Sequence, residues 1–125
     1  MMPSSCIFCK IAQSGTDTDI LYRDDLLFVI RDITPKAMVH LLLIPVMHVT
    51  SLSASSFWSP ERADRRSPEK DFSSHLFNVA GTLASQMGIS DTGYRLVVNQ
   101  GPHSGQQIAH LHFHLLGGNQ LADIG

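Results

Sequence analysis

The run His110-Leu111-His112-Phe113-His114-Leu115-Leu116 places a histidine at every second position and an apolar residue between. A period of two is the period of an extended strand, whose successive side chains point to opposite faces. The run therefore predicts a strand over 110–116 with three imidazoles on one face and Leu111, Phe113 and Leu115 entering a core. Positions 110 and 114 of such a strand lie roughly 13 Å apart. A metal–imidazole bond is only about 2.0–2.1 Å, so one ion can hardly take all three rings. They must divide their work among metal binding, catalysis and plain solvation. Three of the seven histidines of the chain fall on this one face, beside a glycine-bearing loop, which disfavours a chance polar surface.

The rest of the chain supplies the partners of that strand. Residues 6–13 read as a short helix with Ile7, Phe8 and Ile11 on one face. Ile20–Arg23 and Leu26–Arg31 read as a hairpin turning at Asp24-Asp25. His40–Ile44 reads as a buried central strand stopped by Pro45. A serine-rich and then charged, proline-flanked stretch, about 53–72, reads as an exposed insertion loop carrying Trp58 and the cluster Arg62, Arg65 and Arg66. Leu76, Val79, Ala80 and Leu83 recur at helical spacing within Phe72–Met87, and Gly88 supplies a stop. Tyr94–Val98 is a further strand, and 119–125 is a short C-terminal tail. Five strands and two helices in this order predict one α+β domain over 1–125, an antiparallel sheet with its helices on one face.

Bulk composition excludes several classes. The net charge is −2, without the basic surface that non-specific nucleic-acid binding needs. Residues 38–49, the longest apolar run, contain His40, Pro45 and His48 and are too short to cross a bilayer. The opening residues Met1 to Ser5 lack the regions of a secretory signal, and two cysteines are too few for a disulfide framework. A cytoplasmic or nuclear setting is expected.

A histidine nucleophile suits phosphorus chemistry, because a neutral imidazole attacks without a strong base and the phospho-imidazole formed is readily hydrolysed. The loop Asn99-Gln100-Gly101-Pro102-His103-Ser104-Gly105-Gln106-Gln107 has two glycines and no acidic residue, so its backbone N–H groups could cradle an anion. His75 and His103 lie in no motif and are expected to be exposed.

These residues resemble the histidine-triad (HIT) superfamily, whose signature is His-x-His-x-His followed by apolar residues. The match extends to Val97-Val98-Asn99-Gln100-Gly101, to Gly105-Gln106, to Asp32-Ile33-Thr34-Pro35 and to His40-Leu41-Leu42-Leu43-Ile44-Pro45 with His48. It covers residues 6–118 and looks most like the Hint branch of nucleoside phosphoramidases. The resemblance implies a homodimer whose two sheets join into one. It implies hydrolysis of purine nucleoside 5′-phosphoramidates, with His112 attacking the α-phosphorus to form a nucleotidyl-histidine. His114 would hydrogen-bond phosphate and leaving-group atoms, and His40 would lie behind the nucleophile. Asn99 and the loop Gly105, Gln106 and Gln107 would hold phosphate, Asp32 would grip the ribose hydroxyls, and Phe8, Ile11, Ile30 and Ile33 would wall the base. At 107 many relatives carry Ser or Thr, and most Hint proteins have a longer tail than the residues after Gly118 here.

Cys6-Ile7-Phe8-Cys9 supplies half of a tetrahedral zinc site, with His48 and His110 as the candidates for the other half. Members of the superfamily with this cysteine pair hold a structural zinc from those positions, which the resemblance carries here; the chemistry itself needs no metal. Two buried reduced thiols remain the plain alternative. Two other functions also stay open. Another HIT activity, on dinucleoside polyphosphates or adenylylated substrates, is disfavoured by Gly117-Gly118 after the triad. A non-catalytic nucleotide-binding regulatory protein is disfavoured by intact His112, His114 and Asn99.

Overall fold

A computed structural model describes residues 6–14, 20–53 and 71–124. Nearly all of the expected insertion loop, with Trp58 and the three arginines, lies outside the described residues.

Helix α1 spans Ile7–Ser14 and the strands β1 and β2 span Ile20–Arg23 and Leu27–Arg31. Strand β3 covers Val39–Pro45, helix α2 Phe72–Gln86, strand β4 Tyr94–Val98 and strand β5 Phe113–Gly117. They form one five-stranded antiparallel sheet in the order β1-β2-β3-β5-β4. Alternation along the central strands decides what each face carries. Leu27, Val29, Leu41, Leu43, Phe113 and Leu115 pack against Phe72, Leu76, Val79, Ala80 and Leu83 of α2. Phe28, Ile30, Leu42 and Ile44 pack against Phe8 and Ala12 of α1. The two helices thus cover opposite faces. This corrects the one-face expectation, and the reason is visible in β2 and β3: four consecutive residues of β2 and six of β3 are buried, leaving no solvated side. The helical stripe of α1 is Phe8, Ile11 and Ala12, while Ile7 turns outward at 50% exposure.

Local sequence closes these elements in readable ways. Asp24 makes the β1–β2 turn by accepting the amides of Leu26 and Leu27 on Oδ1 (2.8 and 3.0 Å). Gly88 ends α2 with φ at 73°, a left-handed position that favours glycine. Its amide donates to Ser85, and that of Ile89 to Ala84. Cys6 caps α1: its carbonyl accepts the Lys10 amide, and its sulfur accepts the Cys9 amide at 3.4 Å. The Arg23 guanidinium donates to the Ala12 carbonyl in the last turn of α1, tying the helix to the hairpin.

The predicted strand over 110–116 is regular only from Phe113. Residues 108–112 are irregular, and Leu111 donates to Val49 across a single 2.6 Å backbone bond. Leu111 nevertheless still enters the α2-side core, so the alternation of faces survives the loss of the ladder. Among the described residues, no helix is long and apolar enough to cross a membrane.

Candidate active site

The α1 face of the sheet carries the imidazoles. Register places Leu42 opposite His114 and His40 opposite Leu116, so His40 and His114 are diagonal neighbours on that face. The His40 Nε2 and His114 Nδ1 atoms are 2.9 Å apart, and the His112 and His114 ring centroids 5.1 Å.

Backbone partners settle where the ring hydrogens sit. His112 Nδ1 lies 2.8 Å from the His110 carbonyl oxygen, which can only accept, so Nδ1 carries the hydrogen and Nε2 keeps its lone pair. The Lys36 amide, which can only donate, meets His40 Nδ1 at 3.0 Å. His40 therefore carries its hydrogen on Nε2 and donates it to His114 Nδ1, with Asp32 Oδ2 3.4 Å away. His114 in turn carries its hydrogen on Nε2. A second proton on His114 would set two N–H groups against each other across the 2.9 Å contact. Consistently, burial, reinforced by the neighbouring His112 and His40, pushes the His114 pKa down to about 4. Burial also lowers that of His40, the Asp32 carboxylate opposing and the Lys36 ammonium assisting. His112 is 8% exposed and His40 6%. The site holds a nitrogen lone pair beside a fixed N–H donor, which suits attack on an anionic centre with hydrogen bonding to the group attacked.

The other expected contacts are placed unevenly. Asp32 Oδ1 accepts both the amide and the hydroxyl of Thr34, at 2.8 and 3.2 Å. Asn99 donates to the Ser104 carbonyl at 2.7 Å. Gln106 accepts the Gly101 amide at 2.8 Å and donates to the Ile108 carbonyl at 3.0 Å. The two side-chain amides thus brace the loop, and Gly105 turns it with φ at 87°. Gly105 and Gln107 are exposed. Of the expected apolar wall, Ile33 is 95% exposed and Ile11 partly buried, whereas Phe8 and Ile30 belong to the core at 3% and 7%.

The remaining triad member sits apart. Cys6 Sγ, Cys9 Sγ, His48 Nδ1 and His110 Nδ1 all lie within 4.8 Å of one another. The separations are 3.3 Å from Cys6 to His110, 3.1 Å from Cys9 to His48, 3.5 Å from Cys9 to His110 and 3.2 Å between the imidazoles. Ligands of a tetrahedral zinc-sized ion lie about 3.3–3.8 Å apart, so these four side chains could hold a metal ion. His110, fully buried, donates Nε2–H to the Pro45 carbonyl at 2.9 Å and so turns its Nδ1 lone pair into the cluster. Burial, with Cys6 adjacent, pushes the Cys9 thiol up to about 11, an environment that a cation would reverse. Asp32, His40 and His114 also lie close enough to share an ion. There a metal on His40 Nε2 would need the nitrogen that carries the hydrogen, because Nδ1 already accepts from Lys36. The first cluster fits a metal and the second does not.

Sequence reasoning missed three supports of the site. The Lys36 amide and the Pro45 carbonyl act through backbone and leave no residue-type signal. Asn119 accepts the Met38 amide on Oδ1 at 2.7 Å and ties the tail to the β2–β3 connection; an Asn after two glycines is a weak hint. His75, expected to be exposed, is partly buried and sits 2.5 Å from Asp24 Oδ2, which also accepts the Tyr22 hydroxyl at 2.6 Å. His103 is exposed, as expected.

Comparison with known proteins agrees with this geometry. Residues 13–121 match the model of the HIT domain. The chain is 36% identical to the "Purine nucleoside phosphoramidase" of Escherichia coli K12 over 123 residues, 98% of this chain and 95% of the relative. It is 38% identical to an uncharacterized HIT-like protein of Synechocystis over 97% of this chain and 96% of the relative. A histidine triad protein from Clostridium difficile superposes with a TM-score of 0.80 at 33% identity over 100% of both chains. A HIT family hydrolase from Clostridium thermocellum superposes at 0.78 and 32% identity over 98% of each. The chain belongs to the HIT domain family.

Proposed function

We propose that this protein hydrolyses purine nucleoside 5′-phosphoramidates. The observation that carries the reading is the His112 Nδ1–H bond to the His110 carbonyl, which leaves Nε2 as a free nucleophile beside the His114 donor. The name of the Escherichia coli relative supports the substrate class. His112 Nε2 attacks the α-phosphorus, a P–N bond to His112 forms, and the P–N bond to the substrate amine breaks. The amine leaves with a proton taken up from solvent, and the water of the second step returns one to solvent. Water then attacks the same phosphorus, displaces the imidazole and releases the nucleoside monophosphate. His114 Nε2–H hydrogen-bonds the phosphate and leaving group, and His40 holds His114 in the required tautomer. Asn99 with the Gly105, Gln106 and Gln107 loop holds the phosphate, Asp32 the ribose hydroxyls, and Ile11 and Ile33, with the edges of Phe8 and Ile30, the base.

Cys6, Cys9, His48 and His110 hold a structural zinc in this reading, supported by the ligand-atom spacing. Zinc there supplies a cross-link between α1 and the segment before β5 and takes no part in the chemistry. Reduced thiols facing imidazoles fit a reducing cytoplasmic compartment. A homodimer joined through the edge strand β4 would make one continuous sheet; Tyr94, 44% exposed, lies on that edge.

The test is release of AMP from adenosine 5′-phosphoramidate by the pure protein. Turnover that disappears in His112→Ala is the expected result. Faster turnover of a dinucleoside polyphosphate would move the substrate class, and no turnover of either would sink the enzymatic reading.

A further inference from the structure

The nucleophile stands at the entry to the β5 ladder, one residue before its first paired position. The β5 ladder begins at Phe113, and just before it the Leu111 amide donates to the Val49 carbonyl. The contacts of the His112 ring are correspondingly specific. The His110 carbonyl fixes Nδ1, and the Phe8 ring meets the imidazole edge-on at 5.1 Å between centroids and 71° between planes. The same Phe8 ring meets His110 at 5.7 Å and 86°. Edge-to-face pairs of this kind have a preferred geometry, so they resist rotation of either ring. Phe8 is 3% exposed, and its neighbours in sequence are decisive: it lies between Cys6 and Cys9, two of the four members of the thiol–imidazole cluster. His110, a third member, is the residue whose carbonyl holds His112. His48, the fourth, precedes Val49, the acceptor for Leu111. Among the described residues, the carbonyl and ring contacts that orient the nucleophile, apart from its His114 neighbour, therefore lead to a cluster residue or to a residue adjoining one.

We propose that Phe8 is a positioning residue for His112, and that the cluster, by fixing α1 and His110, couples its own metal occupancy to the orientation of the nucleophile. Phe8 acts through its ring on the imidazole, beyond the edge it lends to the base site. The inference deepens the catalytic reading above and rests on His112 being the nucleophile. Its main readout is independent of turnover.

The experiment uses the full chain labelled with 15N-histidine, loaded with zinc, as wild type and as Phe8→Leu, which keeps an apolar side chain in the core and removes the ring. Zinc content and melting temperature are measured alongside. In the loaded wild type, His112 shows a single Nδ1–H tautomer. In loaded Phe8→Leu, zinc content is unchanged, the His112 signals average between tautomers, and kcat falls about tenfold with KM within about twofold. Chelation of the wild type reproduces the tautomer averaging, and added zinc reverses it. An unchanged His112 spectrum in Phe8→Leu overturns the proposal, as does a rise in KM with kcat intact, which marks a base wall. Should chelation unfold the chain, the Phe8→Leu arm alone decides. If the wild type releases no AMP but its His112 tautomer responds as described, the substrate reading fails and the coupling stands.

Discussion

Two groups of imidazoles share one face of the sheet, and they are wired in opposite senses. In the thiol–imidazole cluster, His110 gives its N–H to the Pro45 carbonyl, and its lone pair turns inward toward three other ligand atoms. In the line Lys36–His40–His114, a backbone N–H occupies the His40 lone pair, and hydrogens are passed outward toward the open site. A carbonyl partner thus leaves a buried histidine's lone pair free to face a metal, and an amide partner makes the ring a donor. His112 lies between the two groups. Its carbonyl partner fixes Nδ1–H as Pro45 fixes Nε2–H of His110, but its lone pair is on Nε2, outside the cluster.

The comparison breaks most readily at the nucleophile. His112→Ala removes the only side chain assigned to attack, and AMP release should fall on the order of 10⁴-fold or more, measured as kcat/KM. Next is the closed cluster. Cys9→Ser should lower the urea midpoint of the zinc-loaded protein by the equivalent of at least about 3 kcal/mol, and excess chelator should erase the difference from wild type. The open line should behave differently. His40→Asn loses the donor that fixes His114, so kcat should fall about 10- to 100-fold while zinc content and unfolding midpoint hold. If both variants lose metal, the two groups are not separate.

These contrasts show what the sequence made legible. Alternation through 110–116 marked the imidazole face, and Cys6 with Cys9 marked the cluster, because residue type and spacing carry that information. The tautomers were not legible. They depend on the Lys36 amide and the Pro45 carbonyl, groups that every residue type except proline's nitrogen supplies alike. The placement of the helices was missed for a related reason. Continuous apolar runs in β2 and β3 report burial without saying which helix covers which side. His75 escaped because its partner Asp24 lies far off in sequence, and the pairing exists only once α2 folds over the hairpin.

Smaller effects sharpen the same account. His114 titrates near 4 in the folded protein against 6.5 for the free group. Between those values the unfolded chain takes up a proton that the folded chain refuses, so stability falls as pH drops from about 6.5 toward about 4. Above that window the group contributes no slope. Urea midpoints near neutral pH and at about pH 5 should differ less in His114→Asn than in wild type. Smallest is the latch between α2 and the hairpin: His75→Ala should cost about 1 kcal/mol in denaturant unfolding and leave kcat unchanged.

The identity of the attacking atom is the central claim, and a trapped intermediate reads it directly. Protein labelled with 15N-histidine is mixed with excess adenosine 5′-phosphoramidate, quenched in alkali and observed by 31P NMR. The wiring described here predicts one phosphorus resonance split by 15N, assigned to Nε2 of His112 and absent from His112→Ala. Coupling to Nδ1, an adduct on His114, or AMP release with no adduct at any histidine would contradict it.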